Sequence, residues 1–210
     1  MKTKTPSTPN GQHATLRRIE IDFLFLNLKT CTRCVGTDKN LEQALAAVEH
    51  VLRMADAEVS VNKILIDSPE KARTHRFVTS PTIRVNGRDI ALETKESQCD
   101  SCTDLCGCAE GTNCRVWLYR GEEYTEAPVA MIVEAILQEV FGAPQPVVAT
   151  ALAYDAVPEN FERFFAGASE QAAPAVSACC SPTKQQICCE PSEKASCCGA
   201  TAEQHGCGCQ

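Results

Sequence analysis

Cysteines are the residues of this sequence most able to do chemistry. There are 15 of them among 210 residues, and they fall into three groups along the chain. The groups are Cys31 and Cys34; Cys99, Cys102, Cys106, Cys108 and Cys114; and Cys179, Cys180, Cys188, Cys189, Cys197, Cys198, Cys207 and Cys209. A secreted protein would use so many cysteines as a disulfide scaffold, whereas a protein in a reducing compartment uses them as metal ligands or redox thiols. Since residues 1–18 are polar and lack the apolar core of a signal peptide, we predict a cytoplasmic protein with thiolate chemistry.

The first group has the spacing Cys31-Thr32-Arg33-Cys34 and lies between a predicted strand and a predicted helix. A helix N-terminus stabilises a thiolate, and a nearby cation such as Arg33 adds to that effect. The position therefore predicts that Cys31 and Cys34 are redox-active or metal-binding thiols.

The central group has five thiols within 16 residues, in a predicted loop over about residues 97–114. This density is typical of a tetrahedral zinc site made of four thiolates, with one thiol to spare. An iron–sulfur cluster, a site for Cu(I), Hg(II) or As(III), and redox-labile thiols are alternatives, although the spacing matches no standard iron–sulfur motif. We predict Zn(II) or another soft metal ion as the cofactor. No nucleotide cofactor is expected, because the sequence lacks a phosphate-binding fingerprint.

The C-terminal group consists of vicinal pairs that recur every nine residues, followed by Cys207-Gly208-Cys209. Such pairs suit a flexible segment that wraps a soft ion, with His205 as a further donor. The tail resembles the vicinal-cysteine segments of proteins that handle metalloids and heavy metals. Its composition, rich in Ala, Ser, Pro and Gln, predicts disorder over residues 167–210.

Apolar patterns indicate the elements that position these thiols. Alternating apolar residues predict strands, and apolar stripes at helical spacing predict helices. The predicted strands are 19–28, 58–66, 82–85, 90–92 and 115–119, and the predicted helices are 37–54, 68–77, 128–141 and 157–165. A strand–helix–strand crossover followed by an Asn86-Gly87 hairpin predicts an α/β fold, a mixed sheet with helices on both faces.

Two motifs in this arrangement resemble the thioredoxin-like superfamily: Cys31-Thr32-Arg33-Cys34 as the active-site motif and Ser80-Pro81-Thr82 as the cis-proline loop. The segments 30–38, 80–90 and 116–124 more closely resemble a small bacterial thioredoxin-like family of uncharacterised function. The resemblance covers residues 19–141, about three-fifths of the chain. It implies a catalytic set of Cys31, Cys34 and a cis Pro81. In two respects the sequence departs from thioredoxin, because Thr-Arg replaces Gly-Pro and the predicted helix begins later, near Thr37.

The predicted organisation has four parts. These are a disordered arm, 1–17; a thioredoxin-like domain, 18–142, with the insertion at about 97–114; a linker with a short amphipathic helix, 143–166; and a disordered cysteine-rich tail, 167–210. The net charge of −7 argues against a nucleic-acid partner, and the lack of a long apolar run argues against a membrane span.

Three functions compete. The first is a thioredoxin-like protein that binds or transfers a soft metal or metalloid of the As(III) or Hg(II) type in resistance or homeostasis, with another thiol protein as a possible partner. The second is a thiol–disulfide oxidoreductase in which Cys31 attacks and Cys34 resolves the mixed disulfide. The third resembles the organomercurial lyases, with Asp38 as the acid.

Overall fold

Strands and helices succeed one another largely as the apolar patterns predict. The computed structural model describes residues 16–91, 93–143, 154 and 156–172. The strands are β1 Arg17–Phe25, β2 Ala57–Leu65, β3 Thr82–Val85, β4 Arg88–Asp89, β5 Lys95–Gln98, β6 Asn113–Tyr119 and β7 Glu122–Tyr124. The helices are α1 Thr32–Met54, α2 Pro69–Thr74, α3 Asp100–Cys106, α4 Val129–Phe141 and α5 Glu159–Ala172. The chain divides after Ser169 into two units, and of the second unit the structure describes residues 170–172 alone.

The larger sheet has the strand order β2-β1-β3-β4. Strand β1 runs parallel to β2 and antiparallel to β3, so the sheet is mixed. Ile19, Ile21 and Phe23 of β1 are fully buried, as a central strand requires. Helices α1 and α4 flank the sheet and pack on each other. The predicted α/β class with a mixed sheet is therefore confirmed, and the arrangement is compatible with a thioredoxin-like fold.

Helix α1 begins at Thr32, with Cys31 as its N-cap, and not near Thr37 as predicted. The first two turns show no apolar stripe in the sequence because their buried residues are Cys34 and Thr37. Thr37 is a buried residue inside the helix, and its hydroxyl oxygen accepts a hydrogen bond from the Ala127 backbone N–H at 3.2 Å. Cys31 thus lies at the helix N-terminus, as in the motif that the sequence resembles.

The predicted cysteine-rich loop contains regular structure. Strands β5, β6 and β7 form a second, antiparallel sheet, and α3 lies between β5 and β6. Helix α3 has only seven residues, too few for a recognisable stripe, and ends at Gly107 in the left-handed conformation (φ 62°). Strand β6 joins the rest of the fold through a hydrogen bond from the Arg115 backbone N–H to the Ser80 carbonyl at 2.6 Å.

Helix α5 covers the cysteine-rich segment. It is longer than the predicted helix 157–165, and its Phe161, Phe164 and Phe165 are buried. The ring of Phe161 stacks on that of Phe77, with centroids 5.0 Å apart. At Gly167 a Cβ atom would lie 2.3 Å from the carbonyl oxygen of Cys106, so α5 and the end of α3 approach as closely as a glycine allows. Helix α5 extends to Ala172, into the segment that was predicted to be disordered from residue 167. Residues 1–15, 92, 144–153, 155 and 173–210 lie outside the described residues.

We expect Phe161→Leu to lower the free energy of unfolding by about 1 kcal/mol, because it removes a buried aromatic pair. Urea denaturation followed by circular dichroism measures the change. The matched control is Phe141→Leu, since Phe141 on α4 is 63% exposed and its substitution should change stability by less than about 0.5 kcal/mol. Equal effects of the two variants would contradict the docking of α5.

Within the part of the chain that the structure describes, no helix combines the length and apolar character needed to cross a bilayer.

Candidate metal centre

Three separate segments bring four cysteines together. Cys31 caps α1, Cys99 caps α3, and Cys102 and Cys114 lie on α3 and β6. All four are buried, and their sulfur atoms lie within 4.8 Å of one another. We call this group, Cys31, Cys99, Cys102 and Cys114, the four-thiol cluster.

Cys102 is central in the cluster. Its Sγ lies 3.4 Å from the Sγ of Cys31 and 3.4 Å from that of Cys114. Zinc bound by four thiolates has Zn–S bonds of about 2.3 Å, which places sulfur atoms about 3.8 Å apart at the corners of a tetrahedron. The distances of the cluster need to adjust by only a few tenths of an ångström at these two contacts. The donor set therefore fits a four-coordinate soft metal ion.

Arg33 links the start of α1, where Cys31 lies, to strands β5 and β6. Its guanidinium donates to the backbone carbonyls of Cys114, Arg115 and Gln98 at 3.1, 3.2 and 2.6 Å, and to the Ser97 hydroxyl at 3.0 Å. The sequence predicted Arg33 as a cation that stabilises a thiolate. The structure gives it a second task, because it fastens β5 and β6 to the start of α1, where Cys31 lies.

Replacing Arg33 by glutamine should weaken metal binding at the cluster about tenfold, as is usual when a partner that orients a ligand is lost. Competition with a chromogenic chelator gives the dissociation constant. Arg53→Gln is the matched control, because Arg53 is exposed near the other end of α1. The role assigned to Arg33 is contradicted if both variants bind metal as tightly as the wild type.

An ion pair between the buried Arg115 and the partly exposed Asp89 fixes β6 beside the cluster. The Arg115 side chain follows Cys114 in sequence, and Arg115 is 1% exposed. Its guanidinium donates to both carboxylate oxygens of Asp89 at 2.8 and 2.5 Å and lies 4.8 Å from the ring centroid of Trp117. Such bidentate pairs restrict geometry, so the backbone at Cys114 is positioned before any ion binds.

The thiols of the cluster polarise one another. Hydrogen bonds from Cys102, Cys114 and Cys31 lower the pKa of Cys99, which is the preferred thiolate of the group. Hydrogen bonding with Cys102 raises the pKa of Cys31 to about 12. Hydrogen bonds with Cys102, Cys31 and Cys99, together with burial, raise the pKa of Cys114.

Cys34 lies beside the cluster but outside it. It is 0% exposed, and its Sγ is 3.6 Å from the Ser80 hydroxyl. Hydrogen bonding with Cys31, followed by burial, raises its pKa well above the usual value. The Ser80–Pro81 peptide bond is cis, as the resemblance implied. Cys31 therefore contacts Cys34 on one side and Cys102 on the other.

Three predicted site residues that the structure describes, Cys106, Cys108 and Asp38, are not part of the four-thiol cluster. Cys106 and Cys108 form a disulfide with each other, and Cys106 Sγ also lies 3.2 Å from the Thr112 hydroxyl. The Asp38 carboxylate, the predicted acid of a lyase, pairs with the Lys63 ammonium at 2.7 Å. The eight tail cysteines and His205 lie outside the described residues.

On the sequence alone, Cys31 was assigned to the pair with Cys34 and was not singled out as the fourth ligand of the central group. Counting the thiols of the central group could have indicated that Cys31 or Cys34 joins it. If Cys106 and Cys108 pair locally, the central group keeps three thiols, one fewer than a tetrahedral site needs. The nearest cysteine at an element end is then Cys31 or Cys34, and the helix start decides between them.

A comparison with family models identifies a match. Residues 19–136, more than half of the chain, match the family described as Domain of unknown function (DUF2703). No curated protein matches the sequence, and no solved structure does.

Proposed function

Because the chain belongs to the DUF2703 family, whose function is unknown, we propose from the geometry alone that this protein binds a soft metal or metalloid ion through cysteine thiolates and passes it on. One observation carries the proposal: four buried thiols from three distant segments converge within 4.8 Å. Buried cysteines with no such purpose are scattered through a core and do not gather from α1, α3 and β6.

The donor set narrows the choice of ion. Four thiolates with no imidazole or carboxylate select soft or borderline ions and disfavour Mg²⁺ and Ca²⁺. Zn(II) is the natural occupant of a closed tetrahedral site. As(III) and Hg(II) bind with fewer thiolates, so the cluster offers them more donors than they need. Zn(II) is therefore the resident ion that we propose, and the softer ions are the proposed cargo in resistance or homeostasis.

In this proposal the tail gathers ions and the thioredoxin-like domain receives them. The vicinal pairs of the tail supply eight thiols, and the transfer proceeds by exchange of one thiolate for another. Free thiols in such number require a reducing compartment, so we propose the cytoplasm. Another thiol protein would accept the ion from the cluster.

Elemental analysis of the full chain, purified under reducing conditions without oxygen, tests the proposal. The comparison is with a full-length variant in which the eight tail cysteines are serines. We expect about one zinc per chain in both proteins, and additional uptake of arsenite or Hg(II) in the wild type alone. The absence of bound metal from both proteins, even after zinc is added, would overturn the proposal.

The second candidate is a thiol–disulfide oxidoreductase. It is favoured by the placement of Cys31 at the N-terminus of α1 in contact with Cys34. The raised pKa of Cys31, caused first by its hydrogen bond with Cys102, makes it a poor nucleophile at neutral pH in the metal-free protein. Metal binding is therefore the better account. Reduction of a disulfide substrate by the wild type, lost in Cys31→Ser, would support the oxidoreductase instead.

A further inference from the structure

Cys31 belongs to two groups of thiols, and its sulfur can bond within only one of them at a time. One group is the four-thiol cluster, where Cys31 lies 3.4 Å from Cys102. The other is its pair with Cys34, which hydrogen-bonds to it from within the same helix. A sulfur atom held in a disulfide carries no negative charge and is a poor ligand for zinc. Metal ligation and a disulfide are therefore alternative states of Cys31.

The backbone at the start of α1 brings Cys31 and Cys34 close to the spacing that a disulfide between them needs. The backbone N–H of Val35 donates to the Cys31 carbonyl at 3.0 Å, so Cys31 and Cys34 lie one helical turn apart. Side chains at this spacing have Cβ atoms about 5–6 Å apart, and a small adjustment reaches the distance of about 4 Å that a disulfide needs. Cys34 is not one of the four proposed ligands, so a bound ion does not occupy its sulfur.

We infer that oxidation of Cys31 and Cys34 to a disulfide releases the metal ion from the four-thiol cluster, which makes Cys34 the residue that couples ion transfer to thiol redox state. This inference rests on the proposed function, because it requires a metal ion in the cluster. The oxidant is a small-molecule disulfide, and the acceptor of the ion is a second set of thiolates.

The reaction balances with one disulfide as oxidant. The Cys31 thiolate attacks one sulfur of the small disulfide, which forms a mixed disulfide on Cys31 and expels one thiolate. Cys34 loses its proton to that leaving thiolate and attacks the sulfur of Cys31, which expels the second thiolate. Two electrons pass from the two cysteines to the small disulfide. The ion keeps Cys99, Cys102 and Cys114 and gains an open position, through which an incoming thiolate removes it.

The location of Cys31 suits a reagent that comes from solvent. Cys31 is buried, but its neighbours Thr30 and Thr32 are exposed at the start of α1. The hydroxyl groups of Thr32 and of Ser101 on α3 lie 3.4 Å apart, a long hydrogen bond. Helix ends open at lower free energy than helix interiors, so access to Cys31 needs only a local opening.

The test compares the full-length wild type with Cys34→Ser, both loaded with one equivalent of zinc. Serine retains a hydroxyl for the contact with Ser80 and leaves the four ligands in place. Both proteins are treated with glutathione disulfide, and the zinc released is followed with a chromogenic chelator. Tryptic cleavage after Lys29, Arg33 and Lys39 places the two cysteines on different peptides, 30–33 and 34–39, so a Cys31–Cys34 disulfide appears as one linked species in mass spectrometry.

We expect the wild type to release zinc at least tenfold faster than Cys34→Ser and to yield the linked peptides in step with the release. Equal release rates, or release from the wild type without the linked peptides, would overturn the inference and leave the proposed function standing. If neither protein binds zinc, the proposed function itself fails. If Cys34→Ser alone binds none, and Cys34→Ala behaves likewise, Cys34 is a ligand and the inference is overturned.

Discussion

Replacement of Cys102 by serine is expected to weaken zinc binding at the four-thiol cluster between about a hundredfold and a thousandfold. Structural zinc sites bind with about 10–16 kcal/mol in total, so one of four thiolates contributes roughly 3–4 kcal/mol. The sulfur of Cys102 lies 3.4 Å from those of both Cys31 and Cys114. Its loss removes a ligand and also the hydrogen bonds that order the other thiols.

Competition with a high-affinity chelator measures the change. The matched control is the double substitution of Cys106 and Cys108 by serine, which removes two cysteines from the same segment but none from the cluster. The control should bind zinc within about threefold of the wild type. If the control loses as much zinc affinity as Cys102→Ser does, Cys106 and Cys108 take part in zinc binding. The four-thiol cluster would then not be the metal site.

Zinc affinity should rise by at least about a hundredfold for each unit of pH between pH 6 and 8. Hydrogen bonding with Cys102 raises the pKa of Cys31 to about 12, and hydrogen bonds with its neighbours raise the pKa of Cys114 as well. Both thiols therefore keep their protons throughout this range in the metal-free protein. Zinc binds thiolates, so at least two protons must leave when it binds, and each contributes about a factor of ten per pH unit.

The slope of the logarithm of the dissociation constant against pH gives the number of protons. Calorimetry in buffers of different ionisation enthalpy provides an independent count. Cys31→Ser should reduce the slope by about one, because one of the two displaced protons belongs to Cys31. Affinity that does not change between pH 6 and 8 would mean that the thiols are already ionised, contrary to the hydrogen-bonding pattern of the cluster.

Elements with strong apolar periodicity were predictable from the sequence. Strand β3 has its predicted bounds, and α4 begins and ends within a residue of the prediction. An element that packs on one side has apolar residues at regular spacing on that side. Its bounds can therefore be read from the sequence. The start of α1 was misplaced because its first two turns bury a cysteine and a threonine, which a search for large apolar residues overlooks.

The chemistry of the site was predictable in kind but not in arrangement. Residue types alone indicated soft thiolate chemistry and a four-thiolate site. They left open which four cysteines meet, because a count points to Cys31 or Cys34 only if Cys106 and Cys108 pair with each other. The choice depends on tertiary contacts between the α1 start and the paired strands β5 and β6. The hydrogen bonds of Arg33 to Gln98 and Cys114 form that contact, and nothing in the local sequence around residue 33 identifies partners so distant in the chain.

X-ray absorption spectroscopy at the zinc edge tests the central claim most directly. The full-length chain and its Cys31→Ser variant, each loaded with one equivalent of zinc, are compared under reducing conditions. The account predicts four sulfur neighbours at about 2.3 Å in the wild type and three sulfur neighbours with one lighter atom in the variant. A wild-type spectrum with nitrogen or oxygen ligands, or four sulfurs in both proteins, would contradict the claim that Cys31 completes the cluster.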